Sequence, residues 1–225
     1  MISESMGWLS GACLASRWRT QFTDKDTRIK SLLVAASLLA ASSAWAAAPI
    51  TPTNASATGS YSIDGVDLSI LADGYVAPEQ TLYTVSAVSW SGQEGASGAT
   101  FTLDFGQLYT LTDVLLGVDH NDFYQVQVST DGLNWNTLFT NLAFEGQSNF
   151  GSEIISSVAG NAEYQATIDF PSVAARYARI YAMGGDGAYS VSEMSFSGVA
   201  VVPEPEAYAL MLAGLALVGF AARRR

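Results

Sequence analysis

Side chains able to do acid–base, nucleophilic or metal chemistry are few in this chain and unevenly placed. There is one histidine, His120, in the run Val118-Asp119-His120-Asn121-Asp122, and one cysteine, Cys13, near the start. Between positions 47 and 202 there is no lysine, and two arginines, Arg176 and Arg179, stand against sixteen aspartates and glutamates, a net charge of −14 over that stretch. Cys13 falls in the N-terminal segment read below as removable, which leaves no cysteine for a Cys/His dyad, and a single histidine excludes a multi-histidine metal site. A serine triad would have to use His120, with no Gly-x-Ser-x-Gly elbow to present the nucleophile. Acidic content alone leaves a carboxylate pair for glycoside hydrolysis open, without singling out two residues for it. So negative a surface repels phosphate backbones and anionic headgroups, which makes nucleic acid a poor partner and leaves cations and neutral polyols acceptable.

The elements that must hold these groups are strands. Of 225 residues, 49% are hydrophobic and 14% charged, which excludes disorder and long charged helices. Apolar residues alternate at period two in Phe101, Leu103 and Phe105; in Val114, Leu116 and Val118; in Tyr124, Val126 and Val128; in Ala166, Ile168 and Phe170; and in Ala178, Ile180 and Ala182. Asp131-Gly132 and Gly184-Gly185-Asp186-Gly187 read as turns. No amphipathic helix of ten or more residues stands out, so the pattern predicts an all-β antiparallel sandwich. In that frame Trp135 packs in the core beneath the Asp131-Gly132 turn, and Arg176 and Arg179, three apart, point to opposite faces of one strand.

Both ends read as addressing segments. Arg28-Ile29-Lys30, an apolar run over 31–41, and Ala44-Trp45-Ala46 or Ala46-Ala47-Ala48 have the layout of a secretory signal peptide cut after Ala46 or Ala48. Residues 1–48 are therefore a removable signal with an N-terminal extension, 49–200 one domain, and 201–225 a tail. The tail runs from Pro203-Glu204-Pro205 through sixteen apolar-rich residues, Ala207 to Ala222, to Arg223-Arg224-Arg225. Sixteen residues sit just below the roughly 17–25 of a spanning helix.

This tail resembles the PEP-CTERM sorting signal of Gram-negative bacteria. The resemblance implies Sec export, transient insertion of a short transmembrane helix in the inner membrane, and cleavage near Pro203, Glu204 and Pro205 by an exosortase-type enzyme. It places the protein in the cell envelope or outside, in bacteria that secrete exopolysaccharide; a permanent tail anchor is the other reading. Thr102-Leu103-Asp104-Phe105-Gly106, the run from Asp122 to Trp135 containing Val128-Ser129-Thr130-Asp131-Gly132-Leu133-Asn134-Trp135, Ala175-Arg176-Tyr177-Ala178-Arg179-Ile180 and Tyr189-Ser190-Val191-Ser192-Glu193-Met194 resemble the discoidin, or coagulation factor type C, family. That resemblance implies a galactose-binding-like jelly roll and a module that binds rather than catalyses. The terminal cysteine pair of the family's animal members is missing.

The resemblance also implies a structural calcium ion (Ca2+), the positions similar to the family's being Asp73, Thr81 and Glu193, with Glu79 as an extra ligand. Oxygen donors are what calcium takes; the alternative is that Asp73-Gly74 is only a turn. A glycan site is expected on the rim loops: polar groups from His120, Asn121 and Asp122, aromatic faces from Tyr75, Trp90 and Tyr189, and a guanidinium from Arg179. Trp90 and Tyr189 also read as core or sheet-end residues, and His120 as a solvated loop histidine. Function at this level is an exported polysaccharide-binding module, with a structural matrix protein as the alternative and a secreted glycosidase third.

Overall fold

A computed structural model of the chain describes residues 46–144, 146, 148–201 and 205–223. The signal-peptide reading, up to position 45, and Pro203 and Glu204 of the tail motif lie outside them.

Ten strands follow in order: β1 (Ala48–Pro49), β2 (Asn54–Thr58), β3 (Ser62–Ile63), β4 (Val88–Ser91), β5 (Thr100–Asp119), β6 (Phe123–Ser129), β7 (Asn136–Asn141), β8 (Ser152–Ser156), β9 (Val173–Gly184) and β10 (Ala188–Ala200). Every pairing between them is antiparallel. The long strand β5 joins two layers. Its first residues pair with β2 and β9, whose far side continues to β6 and β7. Its last residues pair with β8 and β10, and β10 continues to β4 and β1.

The handover from β2 to β10 falls at the register break between Asp104 and Tyr109, with β9 pairing on both sides of it. Gly106 turns the backbone there with φ +80°, where a Cβ would stand 2.6 Å from Thr53. Asp104 fixes the bend. Its carboxylate accepts from the Gly106 N–H at 2.7 Å and from Arg176 Nε and a terminal nitrogen at 2.9 and 3.0 Å, while its carbonyl accepts from Thr53. The guanidinium holds this carboxyl below the usual carboxylate range.

The alternating residues 101/103/105, 114/116/118, 124/126/128 and 178/180/182 are all buried and form the core with Val88, Trp90, Tyr189, Val191, Met194 and Phe196. Three expectations are corrected. Ala166–Ile168 is a 3-10 turn, not a strand; Ile168 is buried by it, and Pro171 just beyond lacks a ladder donor. Trp135 is half-buried on the outer surface, where the Arg179 guanidinium lies 4.2 Å over its ring. Arg176 and Arg179 do not lie on opposite faces: Ala175 and Ala178, three apart, are both buried, so alternation slips by one between them. Both arginines therefore reach outward, to Asp104 and to Gln127, which alternate with core residues.

One helix, α1 (Pro205–Arg223), follows the sandwich, with proline at its first position where no N–H is needed. Among the described residues no helix is long and apolar enough to cross a membrane, so the expected transmembrane helix finds no support there; glutamate and arginine bound a short apolar run.

Leu116, near the end of β5 where it pairs with β8 and β10, is 0% exposed. Leu116→Ala is expected to remove about 2–5 kcal/mol of stability, read from the urea midpoint. A midpoint equal to wild type would contradict this packing.

Candidate functional site

Three loops meet at one end of the sandwich: 92–98 after β4, the His120-Asn121 turn between β5 and β6, and 185–187 between β9 and β10. They are tied to each other by the backbone. The Gly92 N–H donates to the Gly187 carbonyl at 2.9 Å, and the Gly95 N–H to the Ala182 carbonyl at 2.8 Å. Asn121 Nδ2 donates to Asp186 Oδ2 at 2.9 Å, and the Asp186 N–H to Asp122 Oδ1 at 3.2 Å. Gly185, at φ +148°, is required because a Cβ there would stand 1.8 Å from Asp122 Oδ1.

Asp122 is fully buried beneath this junction. Burial and the neighbouring Asp119 and Asp186 push its carboxyl up to about 7. The Tyr124 hydroxyl donates to it at 3.2 Å and accepts from the Ser190 N–H at 3.0 Å, so the carboxyl also locks β6 to β10. Tyr189 is fully buried below the rim, its hydroxyl donating to the exposed Glu94 carboxylate at 2.5 Å. Trp90 is core, its ring 5.0 Å from Phe101 and 5.6 Å from Tyr189. His120 is neither a solvated loop residue nor free to turn outward. Its Nδ1 lies 3.3 Å from the buried Asp119, its ring packs edge-on against Phe144, and its backbone is bonded to Gly151 and Phe144.

Of the residues expected at a glycan site, the structure gathers His120, Asn121, Asp122 and Tyr189 around one rim; His120 and Asn121 are partly exposed there, with Asn121 Oδ1 buried and partnerless and its Nδ2 given to Asp186. Trp90, Asp122 and Tyr189 support the rim from below. Arg179 is absent from it, its Nε and a terminal nitrogen donating to Gln127 Oε1 at 2.9 and 2.6 Å on the outer sheet face. Tyr75 is exposed in a different loop, its N–H donating to Asp73 Oδ1 at 2.8 Å. Two rim residues, Glu94 and Asp186, escape the sequence reading. The glycines around Asp186 were their one signal.

The four residues expected around calcium divide. Glu193 is fully buried, with Oε2 partnerless; its other oxygen takes the Ser195 hydroxyl, and the Gly74 N–H donates to the carboxylate. Burial and the nearby Asp73 push this carboxyl up to about 8. Glu79 instead meets Glu153 and Glu163, and burial together with Glu153 raises it. The Thr81 carbonyl is taken by the Ser152 N–H at 2.8 Å. Among the described residues no three His, Cys, Asp or Glu side chains stand close enough to hold a metal.

The described residues form a two-layer antiparallel β-sandwich whose loops close one end with a polar rim. The chain matches the F5/8 type C domain over residues 50–194 and belongs to that family. Residues 201–225 match the PEP-CTERM protein-sorting motif, which implies export and sorting in Gram-negative bacteria. No curated protein matches the chain. Similar solved structures include the CBM32 of AlyQ in complex with 4,5-unsaturated mannuronic acid, at 16% identity over 66% of this chain and 97% of that one, TM-score 0.41. Chitosan-binding module 1 of a Paenibacillus sp. IK-5 chitosanase/glucanase is 22% identical over 67% of this chain and 99% of that one, TM-score 0.42. Against the truncated AlyQ with CBM32 and alginate lyase domains, at 15% identity over 70% of this chain and TM-score 0.44, the chain spans only 34% of the longer protein.

The raised Asp122 carboxyl gives a signed pH dependence. The folded state keeps a proton that the unfolded chain releases near its ordinary value of 3.8, so stability is fully present below about 4 and is lost as pH rises through about 7. The melting temperature of the cation-free protein is expected to fall between pH 5 and 8, and Asp122→Asn to flatten part of that fall. An identical pH profile in the variant would refute the assignment.

Proposed function

We propose that the protein is an exported, non-catalytic carbohydrate-binding module that holds polysaccharide on the loop rim of its sandwich. It leaves the cell through its signal peptide and is released from a transient inner-membrane stage by exosortase cleavage near Pro203-Glu204-Pro205. Its ligand is the exopolysaccharide or matrix glycan of the producing cell. The observation that carries the reading is the rim itself: the exposed Glu94 and Asp186 present carboxylates at one edge, with the Asn121 amide nitrogen tying the 120–121 turn to Asp186, on loops already fixed by hydrogen bonds. Carboxylates accept bonds from sugar hydroxyls or amino groups and repel uronates, and a rim fixed beforehand loses little entropy on binding. Asn121→Ala and Asp186→Ala, each of which also removes the bond tying the two loops, are expected to weaken retention of the protein in gels containing soluble polysaccharide about tenfold. Retention of wild type by no polysaccharide would instead make it a structural matrix protein.

Calcium belongs to the same proposal. The partnerless buried oxygen of Glu193, next to Asp73, fits a cation better than it fits an empty apolar environment. Asp73 and Glu193 would hold it, and its chemistry there is structural, tying the 73–74 loop to β10. Glu193, with its carboxyl pushed up to about 8, keeps a proton at pH 7 that a cation must displace. Calcium is expected to raise the melting temperature and to release protons on titration at pH 7, both effects vanishing in Glu193→Gln. An unchanged midpoint with calcium and with chelator would remove the site.

A further inference from the structure

A second concavity, of about 350 Å³, lies beside the rim on the outer face of β3 and β4. It is lined by Tyr61, Ser62, Tyr83, Ser89, Ser91 and Gln93, together with Trp90. Ser62 stands opposite Ser89 in the strand register, and Ser91 follows two residues along β4, so three hydroxyls share one face. Tyr61 and Tyr83 are both partly exposed. None of the hydroxyls of Tyr61, Ser62, Tyr83, Ser89 and Ser91 bonds to the protein among the described residues, whereas the outward polar residues of β6 are cross-bonded to their neighbours.

The wall of this cleft is set in advance. Gln93 accepts from the Ser60 N–H at 2.9 Å and donates to the Ser60 carbonyl at 3.0 Å, holding the chain before β3 as a neighbouring strand would. Gly98 passes so close that a Cβ would sit 2.0 Å from the Gln93 carbonyl oxygen. In a domain with sixteen carboxylates, this lining contains none. Nor does it contain a cation.

We propose that this cleft is a second glycan subsite, separate from the loop rim, and that it takes one uncharged pyranose of a polysaccharide chain. The inference rests on the carbohydrate-binding reading above. Unspent hydroxyls and an amide match sugar hydroxyls, two phenol rings offer apolar faces to the ring, and the volume lies at the lower end of the roughly 300–1,000 Å³ usual for ligand sites. An anionic sugar finds no counter-charge in the lining and a negative surface around it. Two subsites on one module bind one chain with an avidity neither has alone.

The test is affinity electrophoresis of the intact protein in gels containing dextran, galactomannan, xyloglucan or alginate. It compares wild type with Tyr83→Ala, with the double variant Ser89→Ala/Ser91→Ala, and with Asn121→Ala at the rim. Tyr61 is left in place because it packs edge-on against the buried Phe101. Wild type is expected to be retarded by at least one neutral polysaccharide, and Tyr83→Ala and the serine pair each to weaken that retardation roughly three- to tenfold at unchanged melting temperature. Tyr83→Phe, which keeps the ring, should retain most of the binding. Retardation equal to wild type in Tyr83→Ala and the serine variant, with loss only in Asn121→Ala, overturns the second subsite and leaves the rim reading standing. Retardation by alginate alone overturns the ligand class. Failure of wild type to respond to any of the gels overturns the carbohydrate reading and this subsite with it.

Discussion

The architecture depends on a single strand having to serve two layers. β5 cannot stay straight and pair with β2 and β9 at one end and with β8 and β10 at the other, so the chain bends at Asp104–Gly106. The bend would leave backbone groups exposed to strain, and Asp104 offsets this with its bonds to Gly106 and Arg176. One of the domain's two arginines is therefore committed to the fold. The other, Arg179, is committed to Gln127 and Trp135, so the molecule keeps no guanidinium for the rim.

That allocation shapes what the surface can recognise. With both guanidiniums paired within the domain, the exposed charge at the rim is carboxylate, from Glu94 and Asp186, a surface that repels phosphates and uronates. The acidic excess also reaches the interior. Asp122 and Glu193 are both buried, and each sits where two segments must be joined: Asp122 under the rim loops, Glu193 between β10 and the 73–74 turn. A proton can neutralise either one.

Much of the sandwich was legible because alternation reports burial directly. Phe101 through Phe105, Val114 through Val118 and Tyr124 through Val128 all face inward as their period requires. The same rule, extended two residues, places Asp122 on the buried side with Tyr124, so its burial was present in the pattern and hidden by its polar neighbours. Arg176 was misplaced because a slip of one residue between Ala175 and Ala178 reverses parity, and nothing local announces it. Ala166 to Phe170 had the period of a strand over too few residues to separate it from a 3-10 turn. Glu94 could not be found from its surroundings, since its partner Tyr189 is 95 positions away. The split of Glu79 and Thr81 from Asp73 and Glu193 is likewise a matter of loop path rather than residue type.

The pairing of β1 with β10 sets when the molecule can close. Ala48 and Pro49, the first strand, lie against Ser197 and Gly198 of the last, and β4 and the end of β5 also wait for β10. A chain emerging from the ribosome cannot complete the second layer until about its two-hundredth residue is available. Such non-local closure is slow compared with local helix formation. For a chain whose sorting motif implies export, late closure has a use: a polypeptide that has not yet closed can still be threaded.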